Sequence, residues 1–156
     1  AQLEKDLATS LELAEEAQNF SEQVNELPVD GDNPYIYAVA VTLQHFYTSL
    51  ETAFKRVVKE MEGELPSGES WHRDLLEVVG LEIKGVRPAL ISERIEDDLD
   101  KFRRFRYVVR CGYEYELDWS QMVPLVESLA KITDQLETDF AEFRSFLFEL
   151  AEELEE

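Results

Sequence analysis

The sequence predicts an all-α, up-and-down bundle of four to five helices with a long C-terminal helix, folded as a single domain over residues 1–156. Three observations carry that expectation. Apolar residues recur at steps of three and four along most of the chain, the period of a helix with one wet face. The interruptions fall at Gly, Pro and Ser, which punctuate helices rather than continue them. Strand-like alternation is confined to Tyr113, Tyr115 and Leu117, a stretch more simply read as a turn.

Taken in order, the first helix is drawn by Leu3, Leu7, Leu11, Ala14, Ala17 and Val24. The second starts where Asn33 can cap and Pro34 can occupy the first helical position, and its stripe runs Val39, Leu43, Phe46, Leu50, Phe54, Val57, Met61. After the break from Gly63 to Ser70, Ser70 can cap a shorter helix through Trp71, Leu75, Leu76 and Val79, ending near Gly80. Ser92 can cap a fourth helix with Ile95, Leu99, Phe102, Phe105 and Val109 on one face, leaving at Gly112. Asp118 and Gln121 resemble a capping box for the last helix. Its seam of Met122, Val126, Leu129, Thr133, Leu136, Phe140, Phe143, Leu147, Leu150 and Leu154 alternates fours and threes. Sustained over more than four heptads, that pattern calls for partners along its whole length, within the domain or across a homodimer.

Composition narrows the function classes. The chain has 156 residues, 44% apolar and 32% charged, with 35 acidic against 15 basic side chains and a net charge of −20. So much apolar-periodic sequence argues against disorder. No apolar run approaches the roughly 18–20 residues of a membrane span, so a soluble protein is expected, and the single cysteine makes a reducing cytoplasm the default. The lone cysteine, Cys111, excludes an intrachain disulfide and a thiolate zinc site. With only His45 and His72 besides, neither metal nor cofactor is expected, and both histidines read as packed or half-exposed helix residues. Asp30-Gly31-Asp32 begins like a calcium loop, but Pro34 stands where a further oxygen ligand is needed.

One charge feature opposes the average. Lys101, Arg103, Arg104, Arg106 and Arg110 gather five of the fifteen basic side chains in ten positions, with no acidic residue among them. Such an island meets either the protein's own carboxylates or an anionic ligand. On a helix Arg103, Arg106, Arg110 and Tyr113 share one side, three guanidiniums and a phenol suited to a phosphodiester and a stacked base. Cys111 lies about 140° from Arg106 on an unbroken helix, so both touch one ligand only if the helix ends near Arg110 or two subunits share the site.

At these residues the sequence resembles a known family. Arg106-x4-Cys111-x-Tyr113 looks like the Arg-x4-His-x-Tyr signature of HepT-like toxins in the HEPN superfamily of helical, metal-independent ribonucleases. Further likeness lies in Phe46-Tyr47-Thr48-Ser49-Leu50-Glu51, in Trp71-His72-Arg73-Asp74-Leu75-Leu76, in Val86-Arg87-Pro88-Ala89-Leu90-Ile91-Ser92, and from Phe105-Arg106-Tyr107 through Leu117-Asp118-Trp119. The resemblance implies a homodimer whose motif helices line a composite cleft for RNA. It also implies pairing with a minimal nucleotidyltransferase antitoxin that transfers AMP to Tyr113. In that scheme Arg106 binds the scissile phosphate, Arg103 and Arg110 add phosphate contacts, and residue 111 moves the proton as the ribose 2′-hydroxyl attacks.

The departure is Cys111, where the family places histidine. Imidazole titrates near pH 6.5 and can both take and return a proton, whereas a free thiol titrates near 8.5. Attenuated cleavage is therefore expected. Two other readings stay open: a non-catalytic HEPN module that binds a nucleotide or a protein partner, and a structural bundle whose arginines pair with its own carboxylates.

Overall fold

The structure, a computed structural model, describes residues 2–29, 33–111 and 117–155; the side chains at 107, 108, 110 and 111 are outside that description. Its elements are α1 (Gln2–Gln23), a 3-10 turn (Val24–Glu26), α2 (Pro34–Glu62), α3 (Trp71–Val79), α4 (Glu93–Cys111) and α5 (Trp119–Glu155). Five helices and no strand occur among the described residues, the expected class, with a single isolated bridge between Ile83 and Arg87.

Cross-helix pairs fix the directions. Asp6 meets Arg56 and Ser10 meets Ser49, so α1 runs antiparallel to α2; Ser92 meets Asp139 and Asp98 meets Lys131, so α5 runs antiparallel to α4. Phe46 packs edge-on against Phe102 with ring centroids 5.4 Å apart, and Glu51 meets Arg106, so α2 and α4 run the same way. The short α3 lies against both. Helix α2 is central: it buries Phe46, Tyr47, Leu50, Ala53 and Phe54 completely, over a wider arc than the stripe predicted for it.

Helix α1 departs from the leucine stripe. Its buried line is Asp6, Ser10, Ala14 and Ala17, while Leu3 and Leu7 only flank the core. Small side chains let it approach α2 closely enough for the Ser10 and Ser49 hydroxyls to pair at 2.7 Å, and Arg56 holds the buried Asp6 at 3.0 Å. In α5 the buried seam takes in Leu125, Ile132 and Asp139 and stops at Phe143; Leu154 is 79% exposed.

The caps divide. Asn33 accepts from the Tyr35 amide at 3.0 Å and donates to the Val24 carbonyl at 2.7 Å, tying the start of α2 to the end of α1. Asp118 accepts from the Ser120 amide at 3.0 Å. Ser70 makes no side-chain cap, its hydroxyl turning to Asp74 instead. The Ser92 hydroxyl is buried without a partner among the described residues; the Ser92 amide donates to Asp139 at 2.9 Å, so α5 supplies the cap expected of Ser92. The residues 30–32 and 112–116, with the Asp30-Gly31-Asp32 turn, the Gly112 exit and Tyr113 and Tyr115, lie outside the described residues.

Between α3 and α4 the chain is knotted around one side chain. Gly85, at φ 77°, allows the turn that brings Ile83 and Arg87 into mutual backbone hydrogen bonds. The fully buried Arg87 side chain then donates to the carbonyls of Val78, Leu81 and Pro88 and to Glu62 of α2, at 2.9–3.1 Å. It satisfies the orphan carbonyls at the end of α3 and ties α3 to α2.

At the start of α4, burial and then the charges of Asp97, Glu77, Glu93 and Asp100 raise the Glu96 carboxyl above its ordinary value. A raised carboxyl in the folded state costs stability while ionised, and the cost fades as pH falls through the folded value. Glu96→Gln is therefore expected to raise Tm at pH 7 by about 1–2 °C. The gain shrinks as the pH is lowered toward the carboxylate range, and thermal unfolding that shows a loss at pH 7 would contradict it.

Candidate functional site

A carboxylate inside the apolar stripe of α2 needs a partner, because an unpaired buried charge is expensive. Glu51 is that carboxylate, 3% exposed, and two other helices bring nitrogen donors to it, one of them the Arg106 guanidinium. Arg106 of α4 donates from Nη1 to Glu51 Oε1. His72 of α3 brings Nδ1 to 2.6 Å from Glu51 Oε2 and to 3.1 Å from Arg106 Nη1. Three helices thus converge on one carboxylate, each oxygen engaged by a different group.

The 2.6 Å contact assigns the ring proton. A carboxylate oxygen only accepts, so Nδ1 carries a hydrogen toward Glu51, and in the neutral ring Nε2 is then the acceptor. Arg106 Nη1 is consequently an electrostatic neighbour of the ring rather than its donor. Trp71 stacks on His72 with centroids 3.5 Å apart, and Lys55 Nζ lies 4.1 Å over the Trp71 ring. The side chains of His72 and Arg106 keep 28% and 13% exposure, so the cluster reaches solvent along their edges. Beside Trp71 a cleft of about 330 Å³ is lined by Lys55, Pro66, Gly68 and Leu75 among others.

Under this cluster lies Tyr47, one turn before Glu51 and fully buried. Its hydroxyl and Arg106 Nε have no hydrogen-bond partner among the described residues. Burial first, and the charge of Glu51 second, push the phenol well above its ordinary value. The site therefore combines a guanidinium for an anion, an imidazole whose Nε2 is the acceptor when the ring is neutral, and polar groups short of partners among the described residues.

The predicted residues are distributed unevenly. Arg106 sits in the cluster. Arg103 and Arg104 both turn to Asp100 of their own helix, at 2.7 and 3.1 Å, so three arginines of the basic island meet the protein's own carboxylates. Arg110 and Cys111 are in α4, their side chains outside the description, and Tyr113 lies outside the described residues. Because α4 continues through Cys111, positions 106 and 111 are turned about 140° apart around its axis. His45 is exposed, whereas His72, read alongside it as an ordinary helix residue, is central to the cluster. Glu51 is likewise absent from the predicted site. Its position one turn after Tyr47 and just before Ala53 and Phe54, a charge on a buried face, is the signal that marks it.

Among the described residues no group of three or more His, Cys, Asp or Glu side chains is placed to hold a metal ion, and no helix is long and apolar enough to cross a membrane. No curated protein and no solved structure matches the chain. The family described as HepT-like protein matches residues 38–147, from early α2 to late α5, and so takes in Glu51, His72, Arg106 and Cys111. That span is more than half of the chain, and it contains the whole three-helix cluster. The protein belongs to the HepT-like family, HEPN-type proteins of toxin–antitoxin modules.

Proposed function

We propose that this protein is the toxin component of a HepT-type toxin–antitoxin module, a metal-independent endoribonuclease whose cleavage is slowed by cysteine at position 111. The observation that carries the reading is the location of Arg106: the motif arginine is three-quarters or more shielded, yet it opens beside an imidazole and an aromatic platform contributed by α3. A guanidinium so placed can hold a phosphate through its remaining donors and bear charge that develops in the transition state. The cleft beside Trp71 is of a size to take a base, with Lys55 near its phosphate.

Two copies act together in this reading. Since positions 106 and 111 diverge on one helix, a single ligand reaches both when α4 of one subunit faces α4 of its partner. Arg103 and Arg110 then flank the RNA, and a nucleotidyltransferase antitoxin silences the toxin by transferring AMP to Tyr113.

RNA incubated with the protein in EDTA is expected to yield fragments ending in 2′,3′-cyclic phosphate. Cys111→His should accelerate this by about 10²-fold or more, the scale of restoring a general acid–base group. A folded, dimeric Cys111→His protein without cleavage would overturn the reading, as would sedimentation showing a monomer. The alternative favoured by the pairing of Arg106 with Glu51 and of Arg103 with Asp100 is a structural bundle whose arginines meet its own carboxylates; it predicts neither RNA binding nor cleavage in either form.

A further inference from the structure

We propose that His72, held by Glu51, is a catalytic residue of this site and performs the proton transfer for which cysteine at position 111 is poorly suited. The inference rests on the ribonuclease reading above and adds a residue to it. It starts from the tautomer. The Nδ1 proton is committed to Glu51 Oε2 at 2.6 Å, which leaves Nε2 with the lone pair a general base needs. A buried carboxylate that orients an imidazole in this way is the arrangement by which a weak base is aimed and its protonated form stabilised.

The same carboxylate also fixes the anion-binding group. Glu51 Oε1 accepts from Arg106, so guanidinium and imidazole are held side by side, Nη1 and Nδ1 3.1 Å apart. A phosphodiester taken by the free donors of Arg106 is thereby brought against the ring. Trp71, stacked on His72, limits rotation of the imidazole, and the side chain keeps 28% exposure. On an α-helix, position 111 is turned about 140° from position 106 around α4.

The step balances without metal or oxidant. His72 Nε2 takes the proton of the ribose 2′-hydroxyl, and the 2′-oxygen forms a bond to phosphorus. The bond from phosphorus to the 5′-oxygen breaks, and that oxygen leaves with its electron pair and gains a proton from water. The imidazolium returns its proton to solvent, giving a 2′,3′-cyclic phosphate and a 5′-hydroxyl. Arg106 stays charged throughout and stabilises the crowded phosphate. Glu51 touches no substrate and is a positioning residue.

Kinetics on a defined oligoribonucleotide test this, with mock preparations from cells lacking the gene as the control for contaminating nuclease. His72→Gln keeps a donor for Glu51 but cannot take a proton; its kcat is expected to fall by about 10²–10⁴ with KM little changed. The loss should exceed that of Cys111→Ala by at least tenfold, and free imidazole should restore part of the activity of His72→Gly. Glu51→Gln is expected to lower kcat and Glu51→Asp to recover part of it. If wild type cleaves and His72→Gln cleaves equally well, or if only Cys111→His cleaves, the inference falls and the ribonuclease reading stands; if neither wild type nor Cys111→His cleaves, both fall. A second measurement needs no turnover. The chain has two histidines, so the His72 Hε1 signal is easily assigned by NMR. It should shift on adding a 2′-O-methyl oligoribonucleotide while that of His45 does not, and an unmoved His72 signal overturns the proposal.

Discussion

Replacing Arg87 with alanine is expected to lower the unfolding free energy by about 3–5 kcal/mol, the cost of breaking a buried ion pair from one side. Four partners are affected at once: the carbonyls of Leu81 and Pro88 lose their donor, that of Val78 keeps the Leu81 amide, and Glu62 loses its cation. Glu62 Oε2 already lacks a partner among the described residues, so no other side chain is ready to take over. For a chain of this size the loss corresponds to about 6–20 °C in Tm. Arg87→Lys should recover only part, because one ammonium cannot reach both sides of the fork that a planar guanidinium fills. Thermal or urea unfolding reads the difference, and an alanine variant within about 1 kcal/mol of wild type would show that water replaces the guanidinium at little cost.

Arg106→Ala should act on two quantities that a double variant separates. Removing the charge is expected to reduce RNA cleavage by about 10²–10³, the scale seen when a transition-state donor is lost. It should also destabilise the fold by about 1–3 kcal/mol, because Glu51 stays buried with His72 as its remaining partner. Arg106→Met combined with Glu51→Gln removes the orphaned charge. Stability is then expected to return toward wild type while cleavage does not. Recovery of both would make Arg106 a packing residue, and full cleavage by Arg106→Ala would remove it from the site altogether.

The helices were legible because periodicity and punctuation are local. Pro34 after Asn33, Gly63 closing α2 at φ 83°, and Asp118 before Trp119 each act within a few residues of where they stand. The cluster was only partly legible. Arg106 stood out within its basic run, but its partners come from positions 51 and 72, and spacing along one helix does not encode which face meets which neighbour. Asp139 is a similar case: it reads as part of a wet flank until α5 is laid along α4 and its carboxylate reaches the Ser92 amide. In α1 the leucines drew attention away from Asp6 and Ser10, although close packing of two helices favours small and paired polar side chains over large apolar ones. A carboxylate embedded between Tyr47, Leu50 and Phe54 was the one non-local clue that the sequence did carry, since burial obliges a cation to be found.

The intimate seating of α1 on α2 bears on how the molecule could be dissected. The span that defines its family begins at residue 38, beyond both α1 and the Asn33 tie, yet the Ser10 to Ser49 pair and the Ala14 and Ala17 contacts belong to the same interior as the helices that carry the Glu51 cluster. A fragment trimmed to that span would emerge with one flank of α2 stripped bare and Arg56 robbed of its mate. Such a piece would aggregate rather than report on the intact protein, so the limits drawn by kinship are narrower than those drawn by cohesion.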